Sequence, residues 1–363
     1  KVQALMDRLK NIRDRFDDYG IDGLLVNSSD NRRYLSGFTG TAGSLVISRD
    51  QAVLATDFRY IEQATTQSPD FRVLRIFGAL DWLPSLLRDL GITNLGFESQ
   101  HLSFAMHQNI SRTLESEDLD IALIPVHALV EEVRKVKDQL EMELLARAID
   151  ISDRAFDEVA KTIFVGQTER EIAWLLEKTM REMGADSPSF DTIVAAGPNA
   201  ALPHHRPDDT KIQDGSPLII DMGAKYEGYC SDLSRTLFIG TPDDRFVSVY
   251  DTVLAAQLTA IATVQSGMTG SEADNLARLV IDEAGYGDKF GHSLGHGVGL
   301  EIHEQPGVGP GSQTILSDGM PFTIEPGIYI TGWGGVRIED VVVLDNGRAR
   351  VISNASKLDR LGG

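Results

Sequence analysis

Leu218-Ile219-Ile220-Asp221-Met222-Gly223-Ala224-Lys225-Tyr226-Glu227-Gly228-Tyr229-Cys230-Ser231-Asp232-Leu233-Ser234-Arg235-Thr236 carries two aspartates eleven residues apart. Asp221 ends an apolar run, where an unpaired carboxylate either takes up a proton or finds a cation. A turn around Tyr226, Glu227 and Gly228 folds the stretch into a hairpin. With the centre between Tyr226 and Glu227, the aspartates face each other with Cβ atoms roughly 4.5–5.5 Å apart. Like charges directly opposite repel, so this pairing calls for a cation between them.

Outward from this hairpin the pattern repeats. Glu325 follows Phe322-Thr323-Ile324, and Glu339 precedes Asp340-Val341-Val342-Val343-Leu344, with Gly332, Gly334 and Gly335 in the loop between. His296 lies in Gly295-His296-Gly297. Four carboxylates and one imidazole suffice for two divalent ions. Such a set favours manganese, the first expectation, or cobalt or zinc, over calcium. Arg235 and Arg337 are ordinary ion-pair partners for any single acid here. The five positions taken together are read as a metal site.

The chain has 363 residues, 42% hydrophobic, with a net charge of −20. That length suggests two domains. The charge argues against a nucleic-acid partner, whose phosphates need Lys and Arg. No apolar run approaching 18 residues is apparent, so no membrane partner is expected. The chain starts with Lys1, so leading residues are expected to be missing, and the opening reads as an amphipathic helix rather than a signal peptide. Cys230 is the single cysteine, which excludes an intrachain disulfide and suits a reducing, cytoplasmic setting. Alternation places Cys230 on the face of Asp232, and it reads as a buried thiol rather than a ligand.

Leu5, Leu9, Ile12 and Phe16 keep helical spacing up to Gly20. Short strands at 23–26, 44–47 and 52–55, a helix from near Asp57 and a strand at 71–77 make residues 1–127 an α/β domain. The charged stretch 131–137 marks a linker, 128–137, before a second domain at 138–363. That domain reads as helix, helix, sheet, with helices near 168–183, 244–265 and 271–284. The order occurs twice, an internal duplication.

Asp221-Met222-Gly223, Ser231-Asp232-Leu233-Ser234-Arg235-Thr236, Gly295-His296-Gly297, Ile324-Glu325-Pro326-Gly327 and Gly335-Val336-Arg337-Ile338-Glu339-Asp340 resemble the pita-bread metallopeptidases. Within these, the chain is similar to the proline-specific branch, Xaa-Pro aminopeptidase and Xaa-Pro dipeptidase, over about 137–353. The resemblance implies an α+β pita-bread catalytic domain behind a creatinase/prolidase-type α/β domain, and a homodimer. Asp221 would chelate one metal, Asp232 and Glu339 would bridge both, and His296 and Glu325 would complete the other. The implied nucleophile is a water or hydroxide between the metals, with Glu325 handling its proton. His204, His292 and His303 would line the pocket, bind substrate and donate to the tetrahedral intermediate, and Arg337 would orient ligand carboxylates. His205 has no assignment.

Two features favour the aminopeptidase, acting on peptides with proline in the second position, over the dipeptidase. Phe38-Thr39-Gly40-Thr41-Ala42-Gly43 and Thr56-Asp57-Phe58-Arg59-Tyr60-Ile61-Glu62-Gln63-Ala64 look more like aminopeptidase P. Many dipeptidases also carry an arginine four residues after the histidine matched by His303, where this chain has Gly307. Arg32, Arg33 and Arg59 are alternative sources of a cation. Gly291-His292-Ser293-Leu294-Gly295 fits a serine-hydrolase elbow, but its flanks make neither the strand nor the helix that elbow needs. A non-catalytic peptide-binding relative of the fold would lack ligands, and none is missing.

Overall fold

The computed structural model describes residues 2–357. The chain divides into two units, Lys1–Arg134 and Lys135–Gly363. In the first, six strands form a mixed sheet, ordered Arg72–Arg75, Ala52–Thr56, Ser44–Ser48, Gly23–Val26, Asn94–Glu98, Ala122–Val126. Gly23–Val26 and Ala52–Thr56 are buried at every position, as strands covered on both faces are. The opening helix is two, Val2–Arg13 and Phe16–Tyr19, and Gly20 closes the second at φ 65°.

Arg32 donates to the carbonyls of Gly40 and Gly43, each at 2.7 Å. A Cβ on Gly40 would lie 2.2 Å from the Phe38 ring. The Phe38–Gly43 motif is thus a braced turn of this unit, and Arg32 is committed to it. Arg59 pairs with Asp57 at 2.7 Å. The expected linker at 128–137 is corrected. It contains the helix Leu129–Arg134, with Leu129 and Val130 buried and Arg134 bonded to Asn31. The charges around it masked apolar residues that join the first core.

The second unit repeats helix, helix, sheet. Gln139–Ala160 and Glu169–Glu182 precede a sheet ordered Leu233–Ile239, Ser216–Met222, Ile193–Ala196. Asp244–Thr263 and Gly270–Glu283 precede one ordered Glu304–Val308, Gly295–Gly297, Pro321–Ile324, Asp340–Asp345, Arg348–Val351. The second helix of each pair opens with the same capping box, Thr168 with Glu171 and Thr269 with Glu272. Each half has its own core, around Phe156, Leu176 and Ile220 in one and Phe246, Val253 and Phe322 in the other. This is the duplicated pita-bread architecture. Contrary to expectation, Asp244–Thr263 is long and apolar enough to cross a membrane by length and composition. Its Phe246, Val249 and Val253 instead pack into the second core.

Candidate metal centre

Strand pairing places the acids, with one correction of register. Tyr226 pairs with Tyr229, and Glu227 and Gly228 take positive φ of 41° and 81°. A two-residue hairpin turn needs that backbone, and glycine adopts it without strain. The centre therefore lies between Glu227 and Gly228, and Asp221 faces Ser234. Asp232 sits where the ladder breaks, diagonal to Asp221 on the same face. Diagonal neighbours lie roughly 7–8 Å apart, leaving space for an ion where opposed carboxylates would collide. Gly223 permits the break, because a Cβ there would lie 2.0 Å from the Ser231 carbonyl oxygen.

The glutamates do face each other. Ile324 pairs with Asp340 and Gly327 with Arg337, and Glu325 and Glu339 occupy the gap between these ladders. His296 enters from the strand Gly295–Gly297, its N–H donating to Thr323 Oγ1 at 3.1 Å. Its flanking glycines are required, since Cβ atoms would lie 1.9 Å from the Thr323 carbonyl and 2.1 Å from that of Gln305.

The five residues converge. Ligand atoms of Asp232, His296 and Glu339 lie within 4.8 Å of one another. His296 Nε2 is 3.3 Å from Glu325 and 3.5 Å from Asp232. Arg337 pairs with Asp221, whereas Arg235 pairs with Asp340 at 2.8 Å. One guanidinium and one imidazole thus face four carboxylates. Burial, then the charges of Glu339, Asp221 and Glu325, push Asp232 well above the usual carboxylate range. Burial, then Glu325 and Asp221, do the same to Glu339. Asp221 is raised because burial outweighs Arg337. Burial raises Glu325, but the hydrogen bond and charge of His296, with the charges of His292 and Arg337, together hold it low. Asp221 Oδ1 and Glu339 Oε1 are buried without a partner. Unpaired buried oxygens, excess negative charge and an all-oxygen-and-imidazole donor set fit divalent ions.

His204, His292 and His303 share a pocket of about 450 Å³ with these residues. The His303 ring stands edge-on to His296 at 4.3 Å. His292 is already engaged on both nitrogens, with the Ser293 carbonyl at 2.8 Å and the Tyr329 hydroxyl at 2.9 Å. A carbonyl only accepts, so Nδ1 carries the proton and Nε2 accepts from Tyr329. Burial holds His292 below its ordinary pKa, so it is a neutral acceptor rather than the expected donor. Tyr329 in turn accepts from Arg337 at 2.8 Å, and burial pushes its hydroxyl up to about 12. One chain of bonds therefore runs from Asp221 through Arg337 and Tyr329 to His292.

Sequence reading passed over Tyr329, and also Glu169. Glu169 is fully buried and accepts from Ala196 N–H, Asn199 Nδ2 and Asp208 N–H at 2.8, 3.0 and 3.2 Å. His205 meets it at 2.7 Å. His205 thus anchors the loop that presents His204. Glu169 follows Thr168 in the capping box that opens this helix, but nothing local in the sequence marked Glu169 itself. Cys230 is buried, its thiol directed to the Leu300 carbonyl at 3.7 Å.

An acidic cluster of this kind, set between the halves of a pita-bread fold, defines a metal-dependent peptidase. The chain belongs to metallopeptidase family M24, which residues 143–346 match, and residues 8–136 match the creatinase/prolidase N-terminal domain. It is 36% identical to the Xaa-Pro dipeptidase of Pyrococcus furiosus, over 98% of this chain and all of that one. A solved Xaa-Pro dipeptidase from Bacillus anthracis is 42% identical with a TM-score of 0.95, covering 98% of this chain and 100% of that one. A solved X-Pro aminopeptidase from Thermotoga maritima is 39% identical with a TM-score of 0.89, covering 96% and 99%. The proline-specific branch is thereby established.

Proposed function

We propose that the protein is an Xaa-Pro dipeptidase, which reverses the preference drawn from Gly307 and the N-terminal motifs. The observation carrying this reading is a complete acidic cluster in a chain collinear, end to end, with the Pyrococcus and Bacillus dipeptidases. The Thermotoga likeness and Gly307 favour the aminopeptidase as a second reading. Kinetics on metal-loaded enzyme separate them. A kcat/KM at least about tenfold higher for Ala-Pro than for Ala-Pro-Ala is expected, and the reverse order makes it an aminopeptidase.

Asp221, Asp232, His296, Glu325 and Glu339 would hold two divalent ions, manganese first. Such ions supply Lewis acidity and make water reactive at neutral pH. Glu325, kept ionised by His296 and braced by Thr323 Oγ1 at 3.1 Å, accepts the proton that the attacking water releases. Arg337 fixes the Asp221 carboxylate from behind. His204 and His303 face the same space and hold N–H donors for the carbonyl oxygen and the departing proline nitrogen. That nitrogen must gain a proton to leave, as any amide nitrogen must, and as a tertiary amide it has no N–H by which the enzyme could hold it. A homodimer and a cytoplasmic setting complete the proposal, tested by light scattering and by cell fractionation.

A further inference from the structure

A dipeptide ends in a free carboxylate, and Asp191 lines this pocket in addition to the four clustered acids. Two divalent ions would offset the clustered acids, but the substrate's own carboxylate still has to leave water, which is costly unless a cation meets it. Gly307 carries no side chain that could do so. Among the described pocket-lining residues, two carry a guanidinium. Arg337 is 3% exposed, and its nitrogens are taken by Asp221, Tyr329 and Ser234. Arg206 stands differently. Its side chain is 88% exposed, and Asp191, another pocket-lining residue, lies 3.9 Å away, beyond hydrogen-bond length. Its loop is anchored beside it, where His205 and the Asp208 N–H meet Glu169. The loop is thus held at the pocket while the Arg206 guanidinium stays uncommitted.

Building on the dipeptidase reading, we infer that Arg206 binds the terminal carboxylate of Xaa-Pro dipeptides and so sets the preference for substrate length. A planar guanidinium matches a carboxylate bidentately, which an ammonium does not. Asp191 competes for the same group when the pocket is empty. Arg206 would thus supply from a different loop the cation that Gly307 does not carry.

The test compares Ala-Pro with Ala-Pro carboxamide, in which the charge is removed and the scissile bond kept. Arg206→Ala should lower kcat/KM for Ala-Pro about tenfold or more, mainly through KM, and change the carboxamide less than about twofold. Arg206→Lys should recover part of the loss, and Asp191→Asn should lower KM for Ala-Pro alone. Calorimetry adds a readout independent of turnover: Arg206→Ala should weaken binding of L-proline but not of L-prolinamide. Equal losses on the acid and the carboxamide, or no loss on either, overturn the assignment. The dipeptidase reading fails separately, if unmodified enzyme prefers Ala-Pro-Ala, because the acid-to-carboxamide ratio reports the carboxylate contact alone.

Discussion

At the scale of single residues, the four acids and His296 that cluster in the fold were legible because each sits in an apolar or glycine-bounded stretch. What supports them was not. Tyr329 lies in an unremarkable strand, and only the fold brings its hydroxyl between Arg337 and His292. Glu325→Gln keeps the shape but removes the carboxylate proposed as proton acceptor and metal ligand. Turnover should fall about 10²-fold or more with the protein folded, and activity within a few-fold of wild type would refute the role. Tyr329→Phe should leave metal stoichiometry intact and cost about 1 kcal/mol of stability, since it removes hydrogen bonds without emptying volume. Its kcat should drop, because His292 loses its donor and Arg337 a partner. Unchanged kcat would show that the bond chain has no part in turnover. Gly307→Arg is sterically open, as the nearest atom to an added Cβ is Ser312 Oγ at 3.8 Å.

The helices Asp244–Thr263 and Gly270–Glu283 were recognised close to their bounds, whereas the opening helix proved to be two and the one placed from Asp57 begins at Ile61. Register was not fixed by pattern. Tyr226, Glu227 and Gly228 allow more than one turn centre, and one step separates opposed aspartates from diagonal ones. The deciding fact is backbone sterics: positive φ at two successive positions suits Glu227-Gly228. The linker was misjudged for a related reason, because charge at 131–137 says nothing about the buried side of Leu129–Arg134. Gly223→Ala tests how far the metal site depends on this hairpin. The added methyl would meet the Ser231 carbonyl at 2.0 Å and Ser189 Oγ at 2.1 Å. A loss of roughly 1–3 kcal/mol is expected, with weaker metal binding as Asp232 shifts. Wild-type melting and affinity would show that the strands part without disturbing the acids.

For the molecule as a whole, the acidic cluster makes stability depend on pH and on metal together. Asp232 and Glu339 are raised in the folded state, so the native protein holds protons that the unfolded chain has released above about pH 4. Their contribution is present below that value and is lost as pH rises through the folded values. His296, also raised, acts in the same direction around neutrality. Divalent ions take the place of those protons and bind more tightly as pH increases. Asp153, pushed to about 6 by burial, adds a similar slope whether or not metal is present. The difference in Tm between manganese-loaded and chelator-treated protein should therefore widen from pH 5 to pH 8. A constant or shrinking difference would contradict this account, as would full activity in excess chelator.

The duplicated architecture divides the ligands unequally. Asp221 and Asp232 come from one half, and His296, Glu325 and Glu339 come from the other. Buried bonds cross the divide at the site, among them Arg337 to Asp221 and Ser234, Arg235 to Asp340, and Glu339 N–H to the Ser234 carbonyl. Severing the chain at Gly240-Thr241-Pro242-Asp243 should then yield two fragments that reconstitute by complementation. Neither fragment alone carries a full donor set, so productive reassembly should require manganese and saturate with it. Reassembly to active enzyme with equal affinity in chelator would show that the halves recognise each other through their packed strands alone.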